Sequence, residues 1–412
     1  MKNINNLRER TETHHMTASI TLFPVSNGAM TLICLDNGQN LLIDINIRTD
    51  ADDEDHEMPN VAEDLKGRLK RDDAGRLYVD GFLLSHPHSD HITGLRNHFH
   101  LGPPSEWKEK DDKILIREMW SSPVVFRRAD ANGESLCEDA KAWAKEARRR
   151  VALFREKGSS TGEGDRILIM GEDVDGKTDD ILDIVIKLNA RLTACNRLAD
   201  GAFEARLLGP LPPEDEDDEE TLRHNQSSVI LRFSLRGGGI SDRCRYLTGG
   251  DAEVEIWKRL WKSHGKTNSD WLTYDILLPP HHCSWRSLSS DRWSELGEKV
   301  KVDSDARNAL SQTRKGAVIV ASCKPIKADD DNPPHERAKR EYVDILDDDA
   351  ERFFCTDEYW AEKEMALTFE IKSSGIVRKI GTAAALAAPA LGISATASHA
   401  RPHGSAGEDQ GS

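Results

Sequence analysis

Residues 83–95 read LLSHPHSDHITGL, and His86, His88, Asp90 and His91 crowd four potential cation ligands into that one stretch. The apolar run Phe82-Leu83-Leu84 has the character of a buried strand ending where the ligands begin. Alternation along an extended chain puts His86, His88 and Asp90 on one side, and a turn at Asp90 swings His91 round to join them. A single histidine is ordinarily a core or surface residue with its hydrogen bonds met. Three imidazoles and a carboxylate in one short loop are different, because burying so many unpaired polar groups together is costly unless a divalent cation compensates them.

Outward from this loop the chain alternates strands and helices. ITLFPV from residue 19 and MTLICLDNGQNLLIDINI are β-rich, with Asn37-Gly38 as a hairpin turn and Asp44 near the end of the second run. A helix is expected over 61–71, the strand YVDGFLLS leads into the ligand loop, and 114–120 reads as a short strand. Residues 134–157 form an amphipathic helix, with Leu136, Ala140, Trp143, Ala147, Val151 and Phe154 three or four apart. Its polar face carries Arg148, Arg149, Arg150 and Arg155, a basic cluster that reads either as a solvated face or as a phosphate contact. RILIM, ILDIVIKL and ARLLGPL resume the strands, and the order as a whole specifies a layered α/β domain.

Domain organisation follows from composition. Residues 1–16 are expected as a disordered lead, 17–372 as one domain with an insert at about 102–165, and 373–412 as a flexible Ala/Gly/Ser-rich tail. Residues 49–60 and 212–220 are acidic and turn-rich, hence solvated loops. The apolar stretch 380–393 is short and broken by Pro389, whereas a spanning helix needs ~20 apolar residues, so no membrane association is expected. A formal charge of −16 opposes broad attraction to nucleic acid or anionic lipid. Seven scattered cysteines with no CxxC pair imply reduced thiols, and with no hydrophobic leader at the N-terminus the expectation is a cytoplasmic protein.

Further polar residues stand at strand ends. His224 and Asn225 precede one strand, Asp251 follows another in LTGGDAE, and His281 and His282 follow a third in LLPPHHCSW. With the first cluster they supply what a two-metal site needs, about three ligands per ion and a carboxylate able to bridge.

The motif SHPHSDHITG resembles that of the metallo-β-lactamase superfamily of hydrolases, with a likeness running over roughly residues 19–359. Within it, LTGGDAE and LLPPHHCSW look most like the GD-type and VPHHGS-type motifs in the soluble hydrolase domain of bacterial DNA-uptake competence proteins. The stretch around Asn332 and His335 looks like that group's closing Asn-x-x-His turn. The resemblance implies an αββα sandwich with two divalent ions, zinc or manganese, at one edge. It assigns Asp44 to orienting the ligand loop, His86 and His88 to one ion, Asp90 and His91 to the other, Asp251 to bridging and His281 or His282 to completing the second site. His224 or Asn225 is the third ligand of the first. Asp90 and Asp44 are the candidate catalytic residues, and Ser284, Asn332, His335, Arg148 and Arg149 the candidate substrate contacts.

The implied activity is hydrolysis of a phosphodiester, with nucleic acid or a small phosphodiester as substrate. The alternatives are a small ester, lactone, thioester or cyclic nucleotide, and a noncatalytic interaction protein retaining the fold. The insert or tail is available to a protein partner. Two departures from the family pattern stand out: Cys283 where glycine is usual, and one extra residue in LTGGDAE that reads as a small bulge.

Overall fold

The computed structural model describes residues 16–49, 59–131, 133, 135–214, 222, 224–328 and 332–380. The expected lead up to residue 15, most of both acidic loops and the tail from residue 381 lie outside the described residues.

Three short antiparallel strands open the chain, β1 (Ala18–Leu22), β2 (Thr31–Cys34) and β3 (Asn40–Ile43). The Asn37-Gly38 turn closes the hairpin: Leu35 N donates to Gln39 O, and Gly38 takes a positive φ of 86° that a side chain would resist. Beyond Asp44 comes β4 (Ile45–Asn46), then helix α1 (Val61–Arg68), capped by the Asn60 side chain. Strand β5 (Leu77–Leu83) runs parallel to β3 and delivers the ligand loop, after which β6 (Ile92–Thr93) pairs with β4. Strand β7 (Ile114–Ser121), helix α2 (Glu138–Lys157), β8 (Arg166–Met170) and β9 (Val185–Ile186) complete the parallel half of this first sheet.

The second sheet repeats the scheme. Strands β10 (Arg191–Leu192), β11 (Phe203–Gly209), β12 (Ile230–Gly237) and β13 (Ile240–Thr248) are antiparallel. Helix α3 (Val254–His264) leads to β14 (Tyr274–Leu278), helix α4 (Ser304–Leu310) to β15 (Thr313–Ala321), and helix α5 (Glu336–Ile345) to β16 (Phe353–Cys355), all parallel to β13. The chain then returns to the first sheet, where β17 (Leu367–Lys372) pairs with β1, and β18 (Gly375–Arg378) pairs with β17. That last strand lies past the boundary expected at residue 372.

Side-chain alternation builds the layers. Leu41 and Ile43 face the second sheet while Leu42 between them packs outward; Tyr246 and Leu247, and Ile276 and Leu277, divide the same way. The result is three cores: one between the sheets, one under α1 and α2, and one under α3, α4 and α5. This is an αββα sandwich. Among the described residues no helix is long and apolar enough to cross a membrane, and all seven cysteines are free thiols.

Residues 102–165 are not an insert. Strand β7 lies between β5 and β8 inside the first sheet, and α2 buries Ala140 and Trp143 on that sheet's outer face, with the Trp143 ring 4.9 Å from Phe82. The basic cluster on α2 is largely committed internally as well. Arg150 is fully buried, its guanidinium 2.8 Å from Glu146 and donating to Arg166 O and Ile116 O. Arg149 pairs with Glu146 and Asp165, and Arg155 with Asp180, while Arg148 is exposed. Arg150→Ala removes a buried partner of Glu146 and the donor to two carbonyls, so urea unfolding is expected to show a loss of about 3 kcal/mol. Arg148→Ala is expected to change stability by less than about 0.5 kcal/mol.

Candidate metal centre

The carboxyl ends of the parallel strands from both sheets meet at one edge, and the strand-end residues meet there with them. From the first sheet, β3 ends at Asp44 and β5 at the loop carrying His86, His88, Asp90 and His91. From the second, β13 ends at Asp251 and β14 at His281 and His282. Two backbone hydrogen bonds fix the approach: Val229 N to Ser85 O at 2.9 Å joins the sheets, and Ala29 N to Asp90 O at 3.1 Å props the ligand loop.

Two ligand groups result, with ligand atoms within 4.8 Å of one another in each. Asp90, His91, Asp251 and His282 form one, and His86, His88 and Asp251 the other. Asp251 is common to both, so the extra glycine in LTGGDAE does not displace it. Gly250 takes a φ of 51°, and a Cβ there would lie 2.9 Å from Ser85 Oγ and 3.0 Å from Ser228, so the chain turns in a space that only glycine fits.

Three of the imidazoles are held in the same way. Nδ1 of His86 lies 3.2 Å from Ser227 O, Nδ1 of His282 lies 3.1 Å from Ser322 O, and Nδ1 of His91 lies 2.9 Å from Asp44 Oδ2. A carbonyl or carboxylate only accepts, so each Nδ1 carries the proton and each Nε2 turns to the centre. Nε2 of His86 and of His282 are buried without a hydrogen bond, although the latter lies 3.1 Å from Asp90 Oδ2 and 3.4 Å from Asp251 Oδ1. Buried nitrogens aimed at carboxylates fit a cation between them. Asp44 also accepts from Ser85 N at 2.7 Å and Ser85 Oγ at 2.5 Å, and adopts a positive φ of 53° to do so.

The electrostatics follow from burial and crowding. Burial and the neighbouring His88 push His86 down to about 3, so it stays neutral. Burial disfavours a charged His91, but Asp251 and Asp44 on either side outweigh it and raise its pKa well above the usual range. Burial likewise opposes ionised Asp90, yet His282 and His91 hold it at about 2. Asp251 is driven well below its ordinary range by His91, His281 and His282 against the same burial.

Not every expected residue joins the cluster. His281 turns aside, with Nδ1 3.5 Å from Glu253 and Nε2 4.0 Å from Asp251 Oδ2, so His282 is the one grouped with the carboxylates. Asn225 donates to Glu253 at 3.3 Å and lies 3.4 Å from His281 Nε2. His224 lies in the turn His224–Gln226, and its side chain is outside the described residues.

Ser284 and Asn332 bond to each other at 2.8 Å, and Asn332 Oδ1 also accepts from Trp285 N, so both brace the chain beyond His282. His335 is buried and caps α5, its Nδ1 accepting from Arg337 N. Arg149 is spent on Glu146 and Asp165 and is not brought to the cluster. Missing from the sequence expectations are Glu253, which stands inside the quoted LTGGDAE motif, and the Ser227 and Ser322 carbonyls, which any residue type supplies.

Fold and cluster together define an αββα protein with a His/Asp centre suited to divalent cations. No family model matches the chain, and no curated protein does. Among solved structures it is similar to a diphosphatase from the PhnP family, at 11% identity over 63% of this chain and 73% of that one, with a TM-score of 0.25. It is also similar to an isothiocyanate hydrolase from Delia radicum gut bacteria, at 12% identity over 82% and 96%, with a TM-score of 0.35. At such values neither likeness bears on the reaction.

Asp44→Asn is expected to weaken divalent-cation affinity about 10–100-fold in a competitive chelator titration, because His91 loses the acceptor that sets its tautomer. A second test uses pH. His86 has a lowered folded pKa, so below its ordinary 6.5 the unfolded chain takes up a proton that the folded one refuses, and stability is lost from pH 6.5 down to about 3. Metal-free His86→Gln lacks that term. Its unfolding free energy relative to the unsubstituted protein is expected to improve by about 2 kcal/mol between pH 6.5 and 5 in urea titrations.

Proposed function

We propose that the protein is a metal-dependent hydrolase of phosphodiesters. Two divalent cations would be held by His86, His88 and Asp251 on one side and by Asp90, His91, Asp251 and His282 on the other. The observation that carries this reading is the shared Asp251, a buried carboxylate with both ligand groups around it. A bound cation pair supplies Lewis acidity toward water and toward the oxygens of the group under attack. Four imidazoles beside two carboxylates favour zinc, and the carboxylates also admit manganese.

The chain's own residues position and move protons. Asp90 is 32% exposed against 2% for Asp251, so it is the ligand carboxylate that reaches solvent and accepts the proton of the attacking water. Asp44 bonds to Ser85 and His91 and serves as a positioning residue. Arg286 and Arg292 line an adjoining cavity together with Glu253, Glu255 and Asp291, and offer cations to an anionic substrate there. The likeness to competence-protein hydrolase domains points the same way. The net charge of −16 and the internally paired arginines of α2 favour a short or single-stranded substrate over a duplex.

Hydrolysis of bis(4-nitrophenyl) phosphate is expected with added zinc or manganese and is abolished by chelation and by His88→Ala. Asp90→Asn is expected to lower kcat by about 10²–10⁴ with the protein still folded by circular dichroism. Turnover of 4-nitrophenyl acetate or a lactone, with the phosphodiester left intact across metals and salts, would assign the centre to carbonyl substrates instead.

A further inference from the structure

Beside the metal centre lies a cavity of about 590 Å³, large enough for a mononucleotide-sized group. Its wall is continuous with the centre at two points. Glu253 lines it and lies 3.5 Å from His281, whose Nε2 is 4.0 Å from Asp251. The chain that leaves His282 runs through Ser284 directly into Trp285 and Arg286, both lining residues. The cavity therefore shares a wall with the metal centre, with Glu253 and His281 between them.

The lining is specific in kind. Trp285 and Trp293 meet edge to face with ring centres 6.5 Å apart, and Trp293 packs 4.7 Å from His335. Trp285 is pinned twice, its backbone N–H on Asn332 Oδ1 and its indole N–H on Asp291 O at 3.1 Å. Trp285 is itself buried, so it backs the half-buried Trp293, which is the aromatic lining residue with surface to offer a ligand. The charged lining is mixed: Arg286, half-exposed with its guanidinium 4.0 Å from Glu253, and Arg292, exposed and 3.2 Å from Glu295, stand beside Glu253, Glu255 and Asp291. Aromatic rings and guanidinium planes side by side stack flat unsaturated rings and neutralise adjacent phosphate, while a carboxylate such as Glu253 accepts from exocyclic amino groups.

We infer that this cavity is a nucleobase subsite, seating an unpaired base attached to the phosphodiester that reacts at the metal centre, with Trp293 and Arg286 setting the specificity. The inference rests on the phosphodiesterase reading for its place in catalysis, but the binding it requires is measurable without turnover. Calorimetric titration with 5′-AMP and with ribose 5-phosphate, on the intact chain, isolates the contribution of the base.

The expected result is that 5′-AMP binds at least about tenfold more tightly than ribose 5-phosphate. Trp293→Leu and Arg286→Gln should each weaken 5′-AMP about tenfold with unchanged unfolding temperatures; Arg286 is exposed, so its replacement guards against a merely unfolded Trp293 variant. In turnover, thymidine 5′-(4-nitrophenyl phosphate) should be preferred to methyl 4-nitrophenyl phosphate in kcat/KM, and both variants should shrink that preference. Equal binding of the two phosphates, or unaltered 5′-AMP binding in both variants, overturns the subsite. Failure to hydrolyse either diester with any metal overturns the phosphodiesterase reading alone and leaves the titration to decide the cavity.

Discussion

The rest of the structure depends on one buried line of polar atoms: Asp44, His91 and Asp251, with the imidazole 2.9 Å from a carboxylate on either side. Asp44 ends a strand of the first sheet and Asp251 follows a strand of the second, so the line joins the two halves of the sandwich at its open edge. Without a cation, His91 keeps a proton because each neighbouring carboxylate needs a positive partner in a place where water does not reach. His91 would offer Nε2 to a cation only on giving up that proton, while Asp44 retains its hold on Nδ1, so metal binding would be coupled to proton release and to the stability of the fold.

Topology explains why such a line exists here. Each sheet is antiparallel on one side and parallel on the other, and the loops that follow the parallel strands all open at the same edge. Parallel strands require crossovers through helices, which cover the outer faces and leave the carboxyl ends free for polar residues. Residues far apart in the chain therefore arrive together with little freedom: Val229 bonds to Ser85, and His281 N bonds to Gly250 O.

Much of this is legible in the sequence. The alternation of β-rich runs and helical periods specifies the layers, and His86, His88, Asp90, His91 and Asp251 are conspicuous because polar ligands follow apolar strands. The choice between His281 and His282 is not legible, since the two are adjacent and only the backbone conformation separates their directions. The place of residues 114–157 is hidden for a different reason. The same apolar period serves a helix packed on its own sheet or one carried on an appendage, and only strand pairing distinguishes them. Arg149 and Arg150 mislead because sequence shows their charge but not Glu146 and Asp165 waiting to absorb it. Ser227 and Ser322 act through carbonyls, which leave no mark on residue type.

His281, His282 and Cys283 have φ of 50°, 52° and 64°, three successive residues wound in the left-handed sense. Each such residue with a side chain costs roughly 1–2 kcal/mol, an appreciable part of a domain's net stability of about 5–15 kcal/mol. That makes a small backward coil, like a spring bent against its natural curl, and Cys283 adds a side chain to a turn that a glycine would take without strain. This winding is what sets the His282 ring on Ser322 O and facing Asp251. The contacts that hold the His282 ring therefore also offset a standing backbone cost, which ties the geometry of the centre to the packing around it.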